Sequence, residues 1–295
     1  MRGRAVLLFS VLLVALFVSP AGAATGYREY VALGDSWTAD VNILNVATTF
    51  VPYGCVQSAA DYPHQVAKTL GIATFTDASC GGATTDHMTK PQSAPLGGTN
   101  PPQFDRLTPT TDLVTVGIGG NDAGLVGVVT SCIRLLPLGK TCQSTYVSGG
   151  VDKVSQAIAA AAPKIAATVA GIKARSPHAR IVLVNYMNPI PSVGCYPYIQ
   201  ISNKDVPWLR AKLAEMNAAI ATVAANAQVG VANTDVGMAG HDVCQLPNKQ
   251  YVTALLPLST DPLVAVPFHP TQLGADHQAA VVSAYLTGGS YSART

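Results

Sequence analysis

The chain has 295 residues, 48% of them hydrophobic, with 18 basic side chains against 16 acidic ones. The first 23 residues hold Arg2 and Arg4 and no acid, so the remainder carries 16 charges of each sign. A near-neutral chain without basic clusters argues against nucleic acid or an anionic membrane as the main partner, and for a small or neutral molecule.

The chain opens on Arg2 and Arg4, an apolar run from Ala5 to about Val18, Pro20 as a breaker, and the small residues Ala21-Gly22-Ala23. That order predicts a signal peptide over 1–23, cut after Ala23 or Ala24, and a secreted protein. The run is shorter than the roughly 20 apolar residues that cross a bilayer, and no later stretch reads as a span. The rest shows neither internal repeats nor a linker-like tract and is expected to form one domain over 24–295, working as a monomer.

Tyr30–Leu33 is a short apolar run stopped by Gly34, the pattern of a buried strand. Asp61–Leu70 reads as a helix with Pro63 in its first turn, where a missing N–H costs little. Ile72–Phe75 is a candidate second strand. Leu113–Ile118, rich in β-branched residues and stopped by Gly119-Gly120, is a third. Val151–Arg175 is alanine-rich and helical, and Pro163 is expected to restart or kink it. Ile181–Val184 is a fourth strand, Asp205–Ala227 a helix with Asp205 as N-cap, Val229–Val231 a fifth strand, and Thr271–Leu286 the last helix. Short apolar strands separated by helices imply a parallel sheet covered on both faces: an α/β fold of three layers, α/β/α, with about five strands. Reactive groups in such folds lie just beyond the carboxyl ends of the strands.

Four stretches occupy such positions. Gly34-Asp35-Ser36-Trp37 follows strand one and places a serine at the expected start of a helix, where its own N–H is free to meet an anion; a plain helix N-cap explains such a serine equally well. Ser79-Cys80-Gly81-Gly82-Ala83-Thr84-Thr85 follows strand two, and its glycines let a backbone N–H approach a ligand closely. Gly119-Gly120-Asn121-Asp122 follows strand three and offers a neutral amide donor suited to a developing oxyanion. Phe268-His269-Pro270-Thr271 precedes the last helix. It sets His269 apart from His64, His87, His178, His241 and His277, which read as surface or packing residues.

The six cysteines, Cys55, Cys80, Cys132, Cys142, Cys195 and Cys244, imply disulfides in an exported chain. Fifteen pairings exist and spacing alone does not choose among them, although sequential pairing closes the shortest loops. None forms a C-x-x-C pair and no histidine pair has zinc-like spacing, so no metal is expected. A G-x-S-x-G elbow and a G-x-x-x-x-G-K-[ST] phosphate loop are both missing from the sequence.

With these blocks in order, the chain resembles the SGNH hydrolase superfamily, the GDSL lipases and esterases, from Tyr30 to the last helix. The resemblance implies the flavodoxin-like SGNH fold. It implies Ser36 as nucleophile, His269 as general base, and the N–H groups of Ser36 and Gly82 with the Asn121 amide as an oxyanion hole. The reaction it implies is carboxylic ester hydrolysis through an acyl-enzyme, with no cofactor. The cysteine layout looks like the secreted actinobacterial branch, which implies the pairs Cys55–Cys80, Cys132–Cys142 and Cys195–Cys244. Many members carry an aspartate three residues before the histidine, where this chain has Val266. Some secreted members use a Ser–His dyad oriented by a backbone carbonyl, which by that resemblance is the carbonyl of Val266; Asp261 is the nearest upstream carboxylate. The superfamily also deacetylates sugars and cleaves phospholipids. Segments 45–53, 125–147 and 189–201, with Leu135-Leu136-Pro137-Leu138, are expected to shape a pocket whose apolar content favours an acyl chain from a small or lipid ester. A non-catalytic binding module would break a block, and none of the four is broken.

Overall fold

The structure, a computed structural model, describes residues 26–134, 136, 139–197, 199–254, 266–289 and 291. The expected leader over 1–23 and Asp261 lie outside the described residues.

Five strands form one parallel sheet: β1 (Glu29–Gly34), β2 (Thr74–Asp77), β3 (Leu113–Gly117), β4 (Arg180–Val184) and β5 (Gly230–Ala232), in the order β2-β1-β3-β4-β5. This is the flavodoxin-like order, in which ligands sit at the switch point between the β1 and β3 carboxyl ends. Side chains alternate across the sheet, as the two-residue period requires. Val31, Leu33, Val114, Val116, Ile181 and Leu183 pack against helices α3 (Lys153–Arg175) and α4 (Val206–Ala227). Tyr30, Ala32, Leu113, Val182 and Val184 pack against α1 (Tyr62–Leu70) and α5 (Gln272–Thr287). Both faces are buried, which is why the strands read as continuous apolar runs. Full burial of one such aliphatic side chain contributes roughly 1.5–3 kcal/mol. A short helix, α2 (Leu125–Ser131), follows β3.

Local chemistry sets the helix ends. Asp61 accepts from the His64 N–H, Asp152 from Val154 and Ser155, and Thr271 from Gly274, while Gly71 and Gly288 close α1 and α5 in left-handed conformation. Three expectations shift. The second strand runs over Thr74–Asp77 rather than Ile72–Phe75, because Ile72 is taken into the apolar core just after Gly71 and the edge strand pairs from Thr74 onward. Asp205 does stand at the N-cap of α4, but its carboxylate makes no cap bond there and instead accepts from the N–H groups of Cys142 and Gln143. Pro163 neither restarts nor divides α3, which is continuous. Pro163 and Ala159, whose carbonyl loses its partner, both face outward, where water can serve that carbonyl.

By length and hydropathy α3 does qualify as a possible span, which corrects the expectation of no such stretch. Its apolar stripe, Val154, Ile158, Ile165, Val169 and Ile172, lies against the sheet, as in the core helix of an α/β layer. The cysteines pair as Cys55–Cys80, Cys132–Cys142 and Cys195–Cys244.

Candidate active site

Ser36 stands two residues beyond β1. Gly34 is clamped by the Gln103 side chain, which donates to its carbonyl and accepts from its N–H, both at 2.8 Å. Only glycine fits there: a Cβ would lie 2.5 Å from Thr38 Cβ and 2.7 Å from the Gly117 carbonyl oxygen. Ser36 does not begin a helix. Residues 36–40 form a turn in which the Thr38 and Ala39 N–H groups donate to the Asp35 carbonyl. Among the described residues the N–H groups of Ser36 and Gly82 take no partner.

The turn at residues 266–271 brings His269 to the serine: Nε2 lies 2.8 Å from Ser36 Oγ, and both residues are buried. Phe268 holds φ = 60°, a left-handed conformation that a bulky residue rarely adopts. Four bonds hold the turn. The Phe268 and His269 N–H groups donate to the carbonyls of Thr253 and Val266, the Thr253 N–H donates to the His269 carbonyl, and the Thr253 hydroxyl to that of Val266. Strain concentrated beside a reactive group is the usual place for it.

The ring is oriented by backbone carbonyls. His269 Nδ1 lies 2.9 Å from the Pro267 carbonyl oxygen, with the expected Val266 carbonyl as the lesser partner. The Val266 carbonyl is engaged by the His269 backbone N–H and the Thr253 hydroxyl. With backbone carbonyls as the acceptors at Nδ1 among the described residues, that nitrogen carries the proton and Nε2 faces the serine as a base. Burial holds the His269 pKa below its ordinary 6.5. A neutral base must lose its proton before it works, so kcat/KM should rise with pH along a limb centred below 6.5 and then level off. A single limb centred near 7, measured on a soluble ester, would instead assign the titration to Asp35, which burial pushes up to about 7.

Asn121 lies in the turn after β3, where Gly119, at φ = 113°, sits so close to α3 and α4 that a Cβ would approach Ile165 Cδ1 to 2.6 Å. One amide N–H of Asn121 donates to the Ala83 carbonyl at 2.9 Å, which leaves its second N–H for a ligand and ties the β3 turn to the Gly82 loop. Asp122 reinforces the tie by accepting from the Thr85 N–H and hydroxyl. All four blocks thus converge at the carboxyl end of the sheet.

Sequence reasoning missed the groups that link them. The Tyr186 hydroxyl donates to Asp35 Oδ2 at 2.6 Å and accepts from the Gly120 N–H at 2.9 Å, joining the serine turn to the asparagine turn. Its position just after β4 was the available signal, since every other site residue follows a strand or precedes the last helix. Tyr186 also lines a cleft with Ser36, Asn121, Leu125, Val129, Ile190, Leu209, Leu213 and Phe268. Segments 125–147 and 189–201 do contribute to this lining, through residues 125–129 and 189–190; segment 45–53 does not. Leu136 is 65% exposed and is not part of this lining, and Leu135, Pro137 and Leu138 lie outside the described residues.

A family model described as the GDSL-like lipase/acylhydrolase family matches residues 32–277. "Lipase 2" of Streptomyces coelicolor is 33% identical over 259 residues, 85% of this chain and 83% of that protein. "Lipase" of Streptomyces rimosus is 26% identical over 247 residues, 83% of this chain and 82% of that protein. Among solved structures, the extracellular lipase of S. rimosus superposes with a TM-score of 0.69 at 23% identity, over 88% of this chain and 99% of that one. Phospholipase A1 of Streptomyces albidoflavus gives 0.68 at 20% identity, over the same shares.

Proposed function

The chain belongs to the GDSL-like lipase/acylhydrolase family and is a carboxylic ester hydrolase, and from that premise we propose that it works through an acyl-enzyme on Ser36 with His269 as general base. The observation that carries this reading is the 2.8 Å contact between Nε2 and Oγ, beside two backbone N–H groups without partners. As Ser36 Oγ attacks the ester carbonyl, Nε2 takes its proton. The Pro267 carbonyl then stabilises the resulting imidazolium through Nδ1, so a Ser–His dyad suffices. The carbonyl oxygen, now an anion, takes three donors: the N–H groups of Ser36 and Gly82 and the Asn121 amide. His269 returns the proton to the leaving alcohol, the ester C–O bond breaks, and water repeats the sequence on the acyl-enzyme.

The cleft favours an acyl chain. Leu125, Val129, Ile190, Leu209 and Leu213 offer dispersion contacts and no hydrogen bonds for a sugar. A phospholipid ester fits the same lining, a reading favoured by the fold shared with phospholipase A1. A nitrophenyl ester series assayed beside acetylated xylan tests this: kcat/KM should climb from acetate to medium-chain esters, with xylan acetate a poor substrate. Faster release of acetate from xylan than from any nitrophenyl ester would overturn the acyl-chain assignment. The leader expected over 1–23, cut after Ala23 or Ala24, and the three disulfides support a secreted enzyme, which we take to be a monomer formed as one domain over 24–295.

A further inference from the structure

Away from the cleft, three side chains meet between the start of α1 and the end of β2. Asp61 caps α1, its Oδ1 accepting from the His64 backbone N–H and lying 2.7 Å from His64 Nδ1. Asp77 ends β2, its Oδ1 accepting from the Ser79 N–H. One ligand atom from each of Asp61, His64 and Asp77 lies within 4.8 Å of the others. Both carboxylates are fully buried, and Oδ2 of each has no donor. The two carboxyl groups face each other within hydrogen-bond reach. Asp40, also buried, adds a third carboxyl group, and its Oδ1 likewise has no donor.

Among the described residues no lysine or arginine forms an ion pair with any of these three acids. His64 is the one cationic candidate, and burial disfavours its charged form. Carboxylates taken out of water without a counter-charge are costly, and the cost is met by binding either a proton or a cation. A proton shared between Asp61 and Asp77 would need only the two facing oxygens. Here an imidazole nitrogen converges on the same point from a third side.

We propose that Asp61, His64 and Asp77 bind one small divalent cation of the zinc class, clamping the start of α1 to the end of β2. Two carboxylate oxygens and one imidazole nitrogen match zinc's preference for nitrogen and oxygen ligands in fours, with water as the last. Calcium takes six to eight oxygens, and the cluster does not supply them. His64, about a quarter exposed on its side chain, gives the route in. The rings of Phe75 and Phe50, with centroids 5.0 Å and 6.2 Å from the imidazole, hold its orientation. The spacing Asp61-x-x-His64 was legible in the sequence, but its third ligand is Asp77, which only the fold brings near, so a search for cysteine and histidine pairs passes it by. The Gln57 amide grips the carbonyls of Asp77 and Ser79. The cation therefore braces the loop that presents Gly82 without touching the reacting atoms.

The test uses the full mature protein, stripped by a chelator and dialysed. Zn²⁺, Mn²⁺ and Ca²⁺ are then added separately, with bound metal per chain and Tm as readouts. The expected result is one tightly held Zn²⁺ and a Tm rise of roughly 5 °C or more at saturating metal. His64→Gln and Asp77→Asn should abolish both, and Ser36→Ala should keep both. No stoichiometric uptake, uptake of Ca²⁺ alone, or unchanged uptake by His64→Gln, whose partly exposed position tolerates the exchange, each overturns the proposal. None of these readouts depends on ester cleavage, so failure here leaves the Ser36 assignment standing, and the reverse.

Discussion

Ser36→Ala should reduce ester hydrolysis by about 10⁵- to 10⁶-fold in kcat, the scale on which removal of an activated nucleophile acts. At 1.36 kcal/mol per decade this corresponds to roughly 7–8 kcal/mol of barrier. The same substitution should barely disturb the fold. It removes one hydroxyl and its 2.8 Å hydrogen bond to His269, a change worth about 1 kcal/mol. Tm should accordingly stay within a few degrees of the parent. A fluorophosphonate probe should label the parent at residue 36 and leave the variant unlabelled. Retention of even a tenth of the activity, with the variant shown free of parent protein, would move the nucleophile elsewhere. Unreactivity of the parent toward the probe would favour a non-catalytic module on this scaffold.

The sequence carries the sheet and the reacting pair, and the reason is local. Strands β1, β3 and β4 are buried on both faces, so composition alone marks them, and residues such as Leu113 and Val182 need no tertiary context to be read. Ser36, Gly82, Asn121 and His269 are separated by up to 233 positions, yet each sits at an element boundary where the parallel-sheet rule directs attention. What escaped depends on contacts between distant turns. Tyr186 matters because its hydroxyl bridges Asp35 and Gly120, and no periodicity encodes a bridge. At His269 Nδ1 the Pro267 carbonyl joins that of Val266, in a turn where Phe268 takes a left-handed conformation. Sequence patterns do not predict a positive φ at a phenylalanine. Asp205 holds the N-cap position of α4 but turns its carboxylate to the N–H groups of Cys142 and Gln143, a choice between two sets of donors that only packing decides.

Asn121→Ala should lower kcat by about 100- to 1,000-fold, or roughly 2.7–4 kcal/mol, the range measured for loss of one oxyanion donor. KM should change little. A neutral ester oxygen draws weakly on the amide, and the bond strengthens as charge develops, so the loss falls on the transition state. The geometry adds a second contribution. The Asn121 amide also donates to the Ala83 carbonyl, so the truncation frees the loop that carries the Gly82 N–H and loosens two of the three donors together. Asn121→Asp separates donation from packing. It keeps the shape of the side chain but replaces donors with a negative charge, directed at both the Ala83 carbonyl and the developing oxyanion. If the amide acts as a donor, the aspartate variant should be at least as slow as the alanine variant despite its better fit. If Asn121 only fills space, the aspartate variant should be the faster of the two. The comparison is read from kcat at saturating ester with Tm measured on the same samples. An aspartate variant close to the parent would remove Asn121 from the oxyanion hole and leave the Ser36 and Gly82 N–H groups to bear that charge alone.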